Sequence, residues 1–230
     1  MSGVKAVLFD FGGTLDADGV AWKERFHACY RDAGLDLDAE RFARRFYDAD
    51  DPLVGTLPET AGLDDTVGQL VANLEAGLNG EGDGNPDRGR QVAARFLAES
   101  RATLARNAGV LARLAEHYEL GIVSNFYGNL GAVCRDAGIS RYMTVMVDSF
   151  KVGAEKPSPE IFRAALAGLT ARAEDCIFVG DSLRRDRAGA RNMSMPFVWV
   201  APPEAAGADD AAPDDRVVAS VAALEGMLLP

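Results

Sequence analysis

An aspartate at position 10 ends the apolar run Val4-Lys5-Ala6-Val7-Leu8-Phe9 and is followed at once by Phe11-Gly12-Gly13-Thr14-Leu15. A carboxylate at the carboxyl end of a buried strand, with a glycine turn behind it, suits a nucleophile aimed into a ligand crevice. Three later segments carry further chemistry. Gly121-Ile122-Val123-Ser124-Asn125 delivers a hydroxyl and an amide at the end of another apolar run. Glu155-Lys156-Pro157-Ser158-Pro159 sets Lys156 just ahead of a proline-started helix, where a cation and unpaired backbone N–H groups can meet an anion. Val179-Gly180-Asp181-Ser182-Leu183-Arg184-Arg185-Asp186 runs from a strand into a turn bearing two carboxylates. Each has an ordinary structural use: Asp181 and Asp186 as helix caps, Ser124-Asn125 as a turn, Lys156 as a surface charge. Their conjunction argues for a site, because all lie at one edge of a parallel sheet, the edge at which such sheets bind ligands.

That edge requires a sheet. Apolar runs at 4–9, 120–123, 143–147, 176–179, 197–200 and 216–219 read as strands, and from about residue 108 they alternate with helices, the pattern of a parallel sheet covered on both faces. Between the first and second strands the periodicity is helical. Trp22, Phe26, Cys29 and Tyr30 recur at i, i+4, i+7 and i+8, Phe42 and Phe46 repeat the pattern, and further helices are expected at 64–78 and 86–107. The expected fold is α/β, a Rossmann-like parallel sheet built from 1–17 and 101–230, with an α-helical cap inserted over 18–100. Residues 79–86 read as a turn-rich loop and 201–215, rich in Ala, Asp and Pro, as an exposed one.

The 230 residues suffice for one large or two modest domains with a real core. A formal net charge of -11 argues against a nucleic-acid or anionic-membrane footprint. No apolar stretch reaches the ~18 residues of a membrane span. Cys29, Cys134 and Cys176 are odd in number and lie in apolar surroundings, as expected of buried free thiols in a reducing compartment. No basic segment followed by a long apolar run opens the sequence, so the expected location is cytoplasmic. The two histidines, His27 and His117, fall in helix-like sequence and are assigned structural roles.

In order and wording the four chemical segments resemble the motifs of the haloacid dehalogenase-like (HAD) hydrolases, in the branch with a helical cap after the first motif. The resemblance covers 4–15 and roughly 108–200. It implies a phosphatase in which Asp10 is the nucleophile and a magnesium ligand, and Ser124, with Asn125 beside it, holds a phosphoryl oxygen. It also implies that Gly13 and Thr14 help bind substrate and that Lys156 neutralises nucleophile and phosphoryl group. Asp181, Asp186 and the backbone carbonyl of Gly12 would complete the site for Mg2+. The implied substrate is a phosphorylated small molecule, handled by a monomer or homodimer.

The departure from the family pattern is Gly12, which stands where the phosphatases carry a second Asp as general acid and base. Such catalysis gives ~10²–10⁴ in rate, so good leaving groups should still turn over and alkyl esters poorly. Restoring the carboxylate with Gly12→Asp should then help alkyl phosphates if the backbone tolerates it. Asp16 and Asp18 could substitute but also suit a polar turn. Alternatives are a non-catalytic phosphate- or partner-binding protein and, third, hydrolysis of carbon–halogen bonds. Phosphonoacetaldehyde hydrolysis needs a cap lysine, and none lies between Lys23 and Lys151. Arg41, Arg44 and Arg45 read as a solvated helix face. The acidic run from Glu81 to Asp87 lacks the glycine and terminal Glu of a calcium loop.

Overall fold

A computed structural model describes residues 3–80, 82–202 and 215–229. The chain enters on β1 (Ala6–Phe9) and then runs through four helices: α1 (Trp22–Asp32), α2 (Ala39–Asp50), α3 (Leu63–Asn79) and α4 (Pro86–Leu114). Then follow β2 (Glu119–Ser124), α5 (Leu130–Asp136), β3 (Val145–Asp148), α6 (Ser149–Val152), α7 (Pro159–Leu166) and β4 (Cys176–Gly180). The chain closes on α8 (Ala188–Asn192), β5 (Phe197–Val200), β6 (Arg216–Val218) and α9 (Glu225–Leu228). All strand pairs are parallel and the order is β3-β2-β1-β4-β5-β6. The α/β, Rossmann-like sheet with a helical insertion is as expected from the alternation.

The order reverses between β1 and β4, so the chain leaves these neighbours in opposite directions and opens a crevice at their carboxyl ends. Asp10 N–H donates to Val179 O at 2.9 Å, which ties the first residue after β1 to β4 at this switch point. Strand side chains alternate between two cores. Ala6 and Leu8 join Phe162 and Phe178 on one face; Val7 and Phe9 face a larger cluster that continues into Phe26, Phe42, Phe46, Leu70 and Phe96 of the inserted helices.

The inserted helices bear the expected periodicity, with Trp22, Phe26, Cys29 and Tyr30 buried on α1. Asp38 caps α2 by accepting from Arg41 N–H, and Asn85 caps α4 by accepting from the Asp87 and Arg88 N–H groups. Helix α4 extends beyond the expected 86–107 and runs unbroken across position 100. Burial of Val110, Leu111 and Leu114 carries the helix on past 107. It stops before His117, which lies in the turn leading to β2 and not in a helix as expected.

The three cysteines are buried free thiols. Arg44 and Arg45 pair along α2 with Glu40 and Asp48, in keeping with a solvated face. Glu81 and most of the 201–215 loop lie outside the described residues. No described helix is long and apolar enough to cross a membrane.

Candidate active site

Asp10 stands one residue past β1, and its Oδ1 collects three donors: its neighbour Phe11 N–H at 2.7 Å, Ser124 Oγ at 2.7 Å and Lys156 Nζ at 2.7 Å. Ser124 comes from the end of β2, Lys156 from the loop ahead of α7. Among the described residues no hydrogen-bond donor reaches Oδ2. The carboxylate is therefore fixed by one oxygen and presents the other, the arrangement a nucleophile needs. Lys156 also lies 2.8 Å from Asp186 Oδ1, with side-chain exposures of 1% and 0%, so this cation is held between two carboxylates in a nearly dry site. Both contacts of the ammonium are close ion pairs whose angles depart from a hydrogen bond's.

Asp181, one residue past β4, accepts from Thr14 Oγ1 at 2.9 Å, and its backbone carbonyl accepts from Trp199 Nε1 at 2.9 Å. Asp186 Oδ2 takes the Ser182 N–H at 2.9 Å. Gly13 sits at φ +88, and a Cβ there would meet the Asp181 carboxylate at 2.6 Å, so glycine alone lets the loop approach this closely. One oxygen each of Asp10, Asp181 and Asp186 lie within 4.8 Å of one another. Hard carboxylate oxygens gathered this closely are the ligand type that magnesium takes.

Electrostatics points the same way. Burial pushes the Asp181 carboxyl well above the usual range, with the Asp186 and Asp10 charges adding to it. Burial raises Asp186 to about 6, opposed by Lys156 and reinforced by Asp10. For Lys156 burial pulls down, but Asp10 and Asp186 outweigh it and the ammonium is raised above its ordinary value. One cation among three clustered carboxylates leaves negative charge that a divalent ion would balance.

The remaining expected residues are close by, in more indirect contact. Asn125 holds the backbone of Lys156 at both ends, accepting from Lys156 N–H at 2.8 Å and donating to Lys156 O at 3.3 Å. Thr14 is fully buried behind Asp181, and the Gly13 N–H goes to Asp16 Oδ1 at 2.7 Å. Asp16 is itself fully buried; its other oxygen accepts from Trp22 Nε1 at 2.8 Å, Arg25 Nη1 at 2.8 Å and Ser100 Oγ at 3.3 Å. Asp18 pairs with Arg106 at 2.7 Å. Sequence alone singles out neither Asp16's network nor Trp22, since Ser100 and Asp16 are 84 residues apart and Trp22 reads only as one more apolar helix position.

A profile of the haloacid dehalogenase-like hydrolases matches residues 4–193. The chain belongs to this hydrolase family. Phosphoserine phosphatase of Thermus thermophilus is 29% identical over 221 residues, 93% of this chain and 88% of its own length. Several other relatives match over a much smaller part; the chain spans about a third of their length, 36% and 31% in two cases. Among solved structures, a HAD phosphatase from Thermococcus onnurineus is similar at a TM-score of 0.53 and 22% identity, covering 98% of both chains. A dehalogenase captured with an intermediate complex is similar at 0.65 and 18%, covering 100% of this chain and 99% of its own. At such identities these two likenesses concern the fold.

At the rim of this HAD-like site, Tyr127 OH donates to Asp50 Oδ1 at 2.5 Å, joining the loop after β2 to the end of α2. Burial raises the Asp50 carboxyl to about 6; Asp51 adds to this, while Tyr127 and Arg185 oppose it. The folded state therefore binds this proton more tightly than the unfolded chain, whose value is near 3.8. The stability it gives is present below about pH 4 and is lost as pH rises through about 6, a change on the order of 2–3 kcal/mol. Urea titrations should show wild type losing ground to Asp50→Asn across that window; parallel pH profiles would contradict the assignment.

Proposed function

We propose that this HAD-like hydrolase is a magnesium-dependent phosphatase of small phosphorylated metabolites that works through an aspartyl-phosphate on Asp10. The observation that carries the reading is the asymmetry of Asp10: Phe11 N–H, Ser124 Oγ and the Lys156 ammonium all meet Oδ1, no described donor reaches Oδ2, and one Asp10 oxygen clusters with one each of Asp181 and Asp186. Asp10, Asp181 and Asp186, with the carbonyl of Gly12, would hold magnesium, which supplies charge neutralisation for the transferring phosphoryl group.

The chain's own residues do the rest. Oδ2 forms the new bond to phosphorus as the bond to the leaving oxygen breaks, and that oxygen departs with the electron pair. Lys156 neutralises Asp10 and the phosphoryl oxygens, Ser124 orients the nucleophile, and Asn125 holds Lys156 in register. Gly13 and Thr14 shape the loop that seats Asp10 against Asp181. Water then attacks phosphorus and frees Asp10.

Gly12 offers no proton to the departing oxygen and no base to the water. Asp16 cannot step in while its carboxylate is taken by four donors. Acyl and aryl phosphates, which need little proton assistance, are the expected substrates, with alkyl phosphates slower by ~10²–10⁴. The similarity to a phosphoserine phosphatase over most of the chain supports phosphoryl chemistry. The acidic trio supports it over carbon–halogen hydrolysis, which needs no metal.

The test is magnesium-dependent phosphate release from acetyl phosphate and p-nitrophenyl phosphate against glycerol phosphate. Turnover of the first two, with the third lagging, is expected. No release from any of them, with phosphate still bound, would favour the one rival that Gly12 itself suggests, a binding protein that has lost turnover.

A further inference from the structure

Gly12 has an extended backbone at φ -75 and ψ 120, a conformation open to any residue. Backbone geometry therefore does not demand glycine here; the surroundings do. A Cβ at this position would meet Trp22 Nε1 at 3.3 Å, Cδ1 at 3.4 Å and Cε2 at 3.9 Å. The indole of α1's first residue lies tight against the place that a Cβ at position 12 would occupy.

Trp22 is held there from both sides. Its Nε1 donates to the buried Asp16 carboxylate, which Arg25 pairs at 2.8 Å. Its ring packs edge-on against Phe96 at 5.2 Å and Phe126 at 6.1 Å, and tilted against Tyr127 at 6.4 Å. Phe126 and Tyr127 belong to the loop that follows Ser124, so the indole joins the inserted helices to the catalytic edge of the sheet. It is 8% exposed, the same as Asp10. Rotating it away would strip a donor from a buried carboxylate and break an aromatic cluster.

We propose that Trp22 and Gly12 act as one unit, in which the indole takes the place of a side chain at position 12 and forms an apolar wall for the leaving group. Trp22 is then a specificity-determining residue that favours planar, apolar leaving groups which need no proton. The leaving-group role rests on the phosphatase reading; the steric pairing does not. One consequence differs from what the sequence suggests: Gly12→Asp alone does not restore activity on alkyl phosphates, because its Cβ already presses on an indole that Asp16 and the aromatic cluster hold in place.

Two measurements test this. The first needs no turnover: a thermal-stability cycle of Gly12→Ala with Trp22→Leu, and with the milder Trp22→Phe should the leucine variant fold poorly. The added methyl should lower Tm by roughly 3 °C in wild type and by far less once the indole is gone. An equal penalty in both backgrounds would overturn the pairing.

The second compares kcat/KM on glycerol phosphate for wild type, Gly12→Asp and Gly12→Asp with Trp22→Leu. The double variant should gain at least tenfold, part of the ~10²–10⁴ that an acid and base supply, and the single variant nothing. Trp22→Leu alone should raise KM for p-nitrophenyl phosphate roughly 3–10-fold more than it raises KM for acetyl phosphate, the scale of a lost ring contact. A gain by Gly12→Asp alone, or none by a folded double variant, would overturn the proposal. Wild type inert on every phosphate would overturn the phosphatase reading and the wall's role together, with the stability cycle still deciding the pairing.

Discussion

Asp10→Asn is expected to abolish magnesium-dependent phosphate release, a loss on the order of 10³-fold or more, while leaving the fold intact. The reason lies in the division of labour between its two oxygens. Phe11 N–H, Ser124 Oγ and Lys156 Nζ all converge on Oδ1. An asparagine satisfies those donors by turning its carbonyl oxygen towards them, which leaves the amide nitrogen facing the crevice. That nitrogen is neither a nucleophile nor a metal ligand. Thermal melts should show a modest change, and phosphate release should fall to the buffer rate. Release that survives the substitution would place the nucleophile elsewhere.

Lys156→Met should have the second largest effect and a different signature. The ammonium is 1% exposed and compensates Asp10 and Asp186 together. Removing it leaves three neighbouring carboxylates with no cation from the chain, and breaking a buried pair in this way costs roughly 3–5 kcal/mol. Turnover should fall about 10²–10³-fold, as when a donor to developing charge is removed. Because the lost charge had repelled a divalent ion, magnesium should raise Tm more in the variant than in wild type. A variant that loses activity while gaining no extra stabilisation from magnesium would mean that Lys156 and the ion do not share these carboxylates.

What could be read from the chain follows from where the information sits. Asp10, Ser124 and Asp181 each end a short apolar run, so local pattern places them at strand ends, and parallel-sheet topology brings those ends together. Lys156 is recognisable from the prolines around it. The contacts that refine the site run between distant segments and leave no local trace. Thr14 reaches Asp181 across 167 residues, and Asn125 secures Lys156 through backbone atoms that any residue possesses.

Trp22 is the sharpest case, since helical periodicity marks it as core and nothing in that pattern says it lies against Gly12. Helix α4 shows the converse: the end expected at 107 is overridden by buried contacts further along, and His117 falls in the turn beyond it. Gly12 reads as an absent carboxylate in the sequence and as a crowded space in the fold. That difference turns a missing catalytic group into a pairing with a named partner.

The most direct measurement is the acetyl phosphate release assay run in rapid-quench form, with peptide mass analysis of the quenched enzyme. With no base at position 12 to activate water, release from the enzyme should be the slow step, so a phosphoryl adduct on the peptide carrying Asp10 should accumulate ahead of free phosphate. It should be absent from Asp10→Asn. Steady phosphate release with no adduct at any time point, or an adduct on another residue, would contradict the account.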